Sequence, residues 1–365
     1  MMMGKYLKHL LAACALIALS ACGGKEEPAP GAVILSYASP YPPTHPFSRA
    51  DQEWMKAVTA KSGGKLVIKP FWSGSLISSD QSMVEIRHGV ADIGLITPIY
   101  ARGGAHALRG QAGFYGDIKD LPDQVAIYKC LEAAFPVFGK ELEGLHVLAV
   151  QGGNFPGVLT RHKPIETLED LRGLRLRAQT EALGMLRDLG ADPVNMPMGE
   201  VYSALAKGVI DGVVAPADTI TSLHFGEVAP YFTALHFDRG AYPARAMSDK
   251  AWQRLTPELR QVMVETQPIW EAALARQILV AEERGLEKGA DLGMRMIMAL
   301  PPADQERFRS LYAENARRIA DELAHFDVDG HPILTHAQDL IAARARGETP
   351  ACFGPENPQQ AEVSP

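Results

Sequence analysis

LEDLRGLRLRAQTEALGMLRDLGADPVNMPMGEVYSALAKGVIDGVVAP, residues 168–216, decides the fold class. Thr167 is placed to cap a helix, with Asp170 three residues on as a short capping box, and Gly173 ends that segment. Leu174 to Arg177 alternates apolar and basic residues, as a strand entering a sheet does. Thr180 to Leu189 reads as a helix closed by Gly190, and Val194 to Met196 as extended chain. Met198 to Lys207 reads as a helix ended by Gly208, and Val209 to Ala215 as an apolar strand with Asp211-Gly212 inside it. Strand, helix, strand, helix, strand is the grammar of an open α/β sheet. Such sheets bind small molecules beyond the carboxyl ends of their strands, and Arg177 ends the first strand here. Its planar guanidinium matches a carboxylate with two parallel hydrogen bonds. By position alone, pairing with a surface Glu explains Arg177 equally well.

Working outward, Ile34 to Tyr37 reads as the first strand, followed by the loop SPYPPTHP and a helix over Ser48 to Ser62. Leu66 to Phe71 and Ile93 to Ile96 read as strands flanking a helix over Asp80 to Gly89. Leu121 to Pro136 is helical and Leu145 to Val150 extended. The chain enters a second domain at about Gly152 and returns near Gly240, where Tyr242 to Met247 forms a strand of the first. A helix starts at Thr256, with Pro257 in its first turn, and runs to about Gly289. At 1.5 Å per residue it is roughly 50 Å long, and Pro268 inside it predicts a kink. Trp54 and Trp270 sit among apolar neighbours at helical spacing and read as core. His45 either caps the following helix or faces a crevice.

Three segments in order carry a resemblance. GLRLR (173–177), LGADPVNMPMGEVYSAL (189–205) and GVIDG (208–212) resemble the second-domain signature of the DctP-type solute-binding proteins of tripartite ATP-independent periplasmic (TRAP) transporters. KSGGKLVIKPFWSGSLISSDQSMVEIRHGVADIGL (61–95) is similar to that family's first-domain segment, and MRMIMALPPADQERFRSLY (294–312) to its penultimate strand and helix. The resemblance implies an α/β, two-lobe periplasmic-binding-protein (Venus flytrap) fold with a long helix spanning both lobes. Lobe I is then 33–152 plus 241–280, lobe II 153–240 plus 281–325, and 326–365 a C-terminal extension with a partly disordered tail. It further implies an organic acid captured between the lobes and handed to the small and large membrane subunits of a permease, with no cofactor. Arg177 is the implied carboxylate anchor, joined in the ligand-binding set by Thr97, Gly157, Met198, Ala215 and Asp218.

Departures from the family pattern bear on the ligand. Members that bind sialic acid carry a second arginine where this chain has Gly157. They end the Asp-Gly strand with Gln-Glu-Asn-Pro, where this chain has Val213-Val214-Ala215-Pro216, and Met198 replaces a common Phe. A less polar pocket with one strong anchor follows, suited to a monocarboxylate with a substantial apolar part.

Lys5 and Lys8 form a basic start, and Leu10 to Leu19 is an apolar run of about ten residues, too short to cross a bilayer, which takes about 20. Leu19-Ser20-Ala21-Cys22 reads as a lipobox after a signal peptide over 1–21, leaving Cys22 lipid-modified at the head of a polar tether, 22–32. A periplasmic protein anchored to a membrane through Cys22 is expected. Losing Lys5 and Lys8 makes the formal charge of −7 more negative still, and no basic tract offers itself to nucleic acid. Of four cysteines, Cys130 and Cys352 remain, as a disulfide or as two separate thiols.

An enzyme is not expected. There is no G-x-S-x-G elbow, H-E-x-x-H, P-loop or Rossmann glycine fingerprint. His325, Asp327, Asp329, His331 and His336 fit no metal template and read as a polar loop, so no metal is expected. The alternatives to a transport receptor are a periplasmic lipoprotein enzyme and a ligand sensor using the same cleft. Cys22→Ser should abolish lipid attachment and release the protein from membranes on fractionation. A variant that stays membrane-bound after a salt wash would contradict the lipobox.

Overall fold

The computed structural model describes residues 30–101 and 103–353. The signal segment, Cys22 and the tether through residue 29 lie outside the described residues, as does the tail from 354. The chain opens with β1 (Val33–Ala38), α1 (Pro46–Lys61), β2 (Leu66–Phe71), α2 (Ser82–Arg87) and β3 (Ile93–Leu95). Next come α3 (His106–Gly110), α4 (Leu121–Ala134), α5 (Pro136–Glu141) and β4 (Leu145–Gln151). The middle is β5 (Gly157–Thr160), β6 (Arg175–Arg177), α6 (Leu183–Asp188), β7 (Asp192–Val194), α7 (Met198–Lys207), β8 (Gly212–Ala215), α8 (Thr219–Ser222) and β9 (Tyr231–Thr233). β10 (Tyr242–Ser248), α9 (Asp249–Gln253), α10 (Pro257–Glu265), α11 (Gln267–Asp291), β11 (Arg295–Ile297), α12 (Pro302–Leu323) and α13 (Gly330–Ala345) complete it.

These strands form two sheets, ordered β2-β1-β3-β10-β4 and β11-β9-β5-β8-β6-β7. In the first, β1 is parallel to β2 and β3, and β10 returns antiparallel between β3 and β4. Every residue of β10 is buried, as a central strand covered on both faces must be. In the second, β6 lies parallel to β7 and β8, with Arg177 level with Val194 and Val213. The capping box expected at Thr167 and Asp170 is present, on a short 3-10 turn over Leu168–Leu171. α7 has the expected ends because Gly208 stops it at a φ of 71°. The helix expected over 180–189 is instead a 3-10 turn, Thr180–Ala182, leading into α6.

The first core centres on Trp54 and Trp270, fully buried and stacked with ring centroids 3.6 Å apart. Beside them, Asp51 Oδ1 accepts from Arg245 Nε at 2.9 Å and from Trp270 Nε1 at 2.9 Å, while Tyr37 Oη donates to Asp51 Oδ2 at 2.5 Å. The long helix expected over 256–289 is corrected to two, α10 and α11, meeting at Thr266. Pro268 has no N–H to donate and so belongs in a first turn. Buried Thr266 accepts from Trp54 Nε1 at 3.1 Å and donates to Val262 O at 2.9 Å, which pins the junction. At 25 residues, α11 is about 37 Å long. Its first half packs in the first core through Trp270, Leu274 and Ile278. Its second half meets the other lobe at Gly285, where an added Cβ would lie 2.1 Å from Ala217 O.

Two further expectations need correction. α12 does not belong to lobe II alone: Phe308 and Tyr312 join the second lobe's core, while Ala316, Ala320 and Leu323 join the first. The segment around His331 and His336 is not a loop but part of α13, whose start Asp329 caps by accepting from His331 N at 3.3 Å. Among the described residues no cluster of His, Cys, Asp or Glu is arranged to hold a metal. Of the two readings of Cys130 and Cys352, the structure has the disulfide, joining Cα atoms 5.5 Å apart across 222 positions of sequence. It ties the chain beyond α13 to α4. Cys352→Ser should lower the unfolding free energy by about 2–5 kcal/mol, since it frees a long loop in the unfolded chain. It should also open residues 347–353 to proteolysis. An unchanged denaturation midpoint and cleavage pattern would refute this.

Candidate ligand-binding site

Between the two sheets lies a cleft enclosing about 620 Å³ and open to solvent. The first lobe contributes Tyr41, His45, Phe47, Thr97, Tyr100 and Tyr242, and α11 contributes Ile278. Facing them are Gln179, Met198, Pro216, Asp218 and Thr219, with Gly153, Asn154 and Arg239 from the two crossing segments. A second chamber of about 450 Å³ shares Gln179, Met198, Pro216 and Arg239 and continues to Glu181, Asp238 and Tyr312. The loops after β3, β6 and β8 thus meet at the crevice that open α/β sheets reserve for ligands.

Arg177 is fully buried at the end of β6. Its Nε donates to Met196 O at 3.0 Å, and its Nη2 donates to the Tyr100 hydroxyl. Its Nη1 is buried without a hydrogen-bond partner. Arg177 is absent from the cleft surface itself; Tyr100, carried by the turn Pro98–Tyr100 of the other lobe, is the lining residue it holds. The two sides also touch where Thr180 Oγ1 donates to Ile99 O at 3.3 Å.

Of the other expected residues, Met198, Thr97 and Asp218 line the cleft. The Thr97 hydroxyl is already engaged, with Ser79 O and with Ser82 Oγ at 3.1 Å. Gly157 and Ala215 do not line it. They are opposite one another in the β5–β8 ladder, and a Cβ at Gly157 would meet Thr233 O at 2.4 Å and the Phe232 ring at 2.8 Å. No arginine fits there because β9 occupies the space. Ala215 is buried with Val213 and Phe232 in the second lobe's core.

Sequence reasoning missed Arg239, whose guanidinium lines the cleft wall with its Nε buried and without a partner. It lies in the irregular stretch between β9 and β10, which carries no periodicity for sequence reasoning to use. Tyr100 and Gln179 were also missed, although both lie in the connections that leave β3 and β6 at the crevice. His45 does both things considered for it: Nδ1 accepts from Phe47 N at 3.2 Å, capping α1, and its ring lines the cleft.

Burial, then Arg245, lowers the His45 pKa to about 3, so His45 is neutral at physiological pH. Burial, then Tyr100 and Tyr242, keeps the Tyr41 phenol protonated. The Asp218 carboxyl is pushed up to about 7 by burial and then by Glu282, which itself accepts from Ala217 N at 3.2 Å and Asp218 N at 2.9 Å. Asp238 is also raised to about 7, by burial against the opposing hydrogen bond from the Asp117 backbone. Glu181 is raised by burial against the pull of Arg239, Arg177 and Arg109.

For Asp218 the folded value lies above the ordinary 3.8. Its contribution to stability is therefore complete below about pH 4 and lost as pH rises through about 7. Asp218→Asn should raise the melting temperature relative to wild type at pH 8 and leave it nearly unchanged at pH 4. An equal effect at both pH values would contradict the burial of this carboxyl.

Residues 37–322 match the profile of DctP, the bacterial extracellular solute-binding protein family 7. The 2,3-diketo-L-gulonate-binding periplasmic protein YiaO of Escherichia coli K12 is 29% identical over 51% of this chain, a match that spans 59% of that protein. The C4-dicarboxylate-binding periplasmic protein DctP of Rhodobacter capsulatus is 23% identical over 96% of this chain and 97% of its own. Among solved structures, a TRAP solute binding protein from Rhodoferax ferrireducens T118, in complex with copurified benzoate, has a TM-score of 0.77 at 24% identity. That superposition covers 86% of this chain and 99% of the other. With two sheets flanking one cleft and a family match over most of its length, the chain belongs to the DctP family of bacterial extracellular solute-binding proteins.

Proposed function

We propose that this receptor captures an organic monocarboxylate with a substantial apolar part and delivers it to the small and large membrane subunits of a TRAP permease. It does so from the periplasm, tethered through Cys22, with lobe I as 33–152 plus 241–280 and lobe II as 153–240 plus 281–325, α12 bridging the two. Capture and delivery make and break no bond in the ligand, so they call for no catalytic residue. Among the described residues no helix is long and apolar enough to cross a membrane.

The observation that carries the reading is the buried Arg177 Nη1 with no partner. A buried charged donor left unpaired is costly, and a carboxylate supplies the matching acceptor and the opposite charge. Tyr100 belongs to one lobe and Arg177 to the other, so opening the cleft withdraws the Tyr100 hydroxyl and frees the guanidinium face. Closure over a ligand then brings both donors onto one carboxylate and excludes water, which strengthens each bond. The apolar body is supported by Met198, Phe47, Ile278 and the rings of Tyr41, His45 and Tyr242 around the cleft. Neutral His45 adds no charge to that wall. The copurified benzoate of the Rhodoferax protein is an acid of the same kind.

Arg177→Ala should weaken carboxylate binding at least about tenfold with folding intact, because one charge-assisted pair contributes about 1.5–3 kcal/mol. Arg177→Lys should not restore it, since the fork is lost. Calorimetry on both variants, with a thermal-shift screen of succinate, sialic acid, 2-oxo acids and aromatic monocarboxylates, tests the reading. Unchanged affinity in both variants removes Arg177 from the site. Stabilisation by succinate or sialic acid alone rejects the apolar monocarboxylate.

A further inference from the structure

Arg239 has no assigned task, yet the fold makes room for it. Gly153 lies directly against its side chain: a Cβ there would be 2.5 Å from Arg239 Cζ and 2.6 Å from Nε. The Gly153 backbone is held from behind by Gln124, which donates Nε2 to Gly153 O at 3.1 Å and accepts Gly153 N on Oε1 at 2.8 Å. The guanidinium so cradled is 9% exposed, lines the cleft, and keeps its Nε without a partner. Asp218, also 9% exposed, lines the same cleft with one carboxyl oxygen taken by Ser222 Oγ at 2.9 Å. The nearby Glu282 is occupied, accepting from the Ala217 and Asp218 amides and from Asn154 Nδ2 at 3.2 Å.

We propose that Arg239 and Asp218 together read a hydroxyl group on the apolar part of the ligand, a second point of contact distinct from the carboxylate held by Arg177. The proposal rests on the carboxylate reading above. A hydroxyl is the simple neutral group that accepts from one neighbour and donates to another, and so completes both Arg239 and Asp218. A purely apolar ligand would leave the Nε donor desolvated and unpaired. An ammonium group would meet the Arg239 charge, and a second carboxylate would meet Asp218 and Glu282. The ligand class is therefore a hydroxylated monocarboxylate with an apolar frame.

Calorimetry on the purified full chain with matched pairs tests this. The pairs are benzoate against its three monohydroxy derivatives, phenylacetate against its ring-hydroxylated derivatives, and hexanoate against 6-hydroxyhexanoate, with isophthalate as the dicarboxylate control. In at least one pair the hydroxylated acid should bind about tenfold or more tighter, as expected for hydrogen bonds to charged groups. Arg239→Met and Asp218→Ala should each abolish that preference, the hydroxylated acid losing about tenfold more affinity than its parent in each variant. Should Arg239→Met fail to fold, Gly153→Ala displaces the guanidinium without deleting it and should act alike. Equal binding within every pair, tighter binding of isophthalate, or equal loss of parent and hydroxylated acid in both variants overturns the proposal. If the parent acids still depend on Arg177 in that case, the carboxylate reading stands alone. If no acid of the set binds wild type, both readings fall.

Discussion

The ion pair between Arg245 and Asp51 holds the parts of the first lobe in register, and the cleft rests on it. Both side chains are fully buried, 2.9 Å apart. Arg245 sits on β10, Asp51 on α1, Trp270 on α11 and Tyr37 on β1, so one carboxylate collects the returning strand, two helices and the first strand. Gln151, the last residue of β4, accepts from Arg245 Nη1. Two charges desolvated in this way bring little net stability, but removal of either partner costs about 3–5 kcal/mol because the other is left unpaired. Such a pair fixes geometry more than it adds energy. Its charge also reaches the cleft: Arg245 lies 5.6 Å from the Phe47 ring and helps keep His45 neutral.

From that anchor α11 carries the geometry to the second lobe. Its start is fixed by Trp270 against Asp51, and its later part by Glu282, which caps the Ala217 and Asp218 amides after β8. Asn154 ties the same helix to the first crossing segment, donating to Ile278 O at 2.9 Å and to Glu282. Asp218 is therefore positioned by the helix that joins the lobes, not by its own sheet alone. The approach at Gly285 admits no side chain, so α11 and the end of β8 keep one spacing. The lobes are joined by the crossings at 152–156 and 234–241, which hold Gly153 and Arg239, and by α11 and α12, so a change in lobe angle involves all four.

Much of this was legible in the sequence wherever a local rule decides the outcome. The capping box at Thr167, the end of α7 at Gly208 and the burial of Trp54 and Trp270 all follow from neighbours within a few residues. The end of a strand at Arg177 was legible too, whereas its burial behind Tyr100, off the cleft surface, was not. The break at Thr266 was not, because it depends on a hydrogen bond from Trp54, 212 positions away. The polar loop read around His331 became a helix because α13 finds a partner surface on α4 and α12, and packing overrides weak local propensity. Gly157 stands where some members of the family carry an arginine, but only the Thr233 carbonyl and Phe232 ring explain why no side chain fits. Arg239 was invisible for the same kind of reason: its place is made by Gly153, far away in sequence and adjacent only in the fold.

The two guanidiniums near the cleft sit in different surroundings, although buried Glu181 feels both. Arg177 is braced by a backbone carbonyl and a phenol, neither of which cancels its charge. Arg239 stands among Asp218, Glu282 and Glu181, each of which it holds toward its ionised form against burial. On the proposed reading the anion is held at Arg177, while Arg239 offers a dipolar site compensated by its acids. Two arginines of equal exposure would have accepted a dianion at either end. On that reading the acids beside Arg239 remove the symmetry, and a ligand with one charged end and one neutral polar group is held in a single direction.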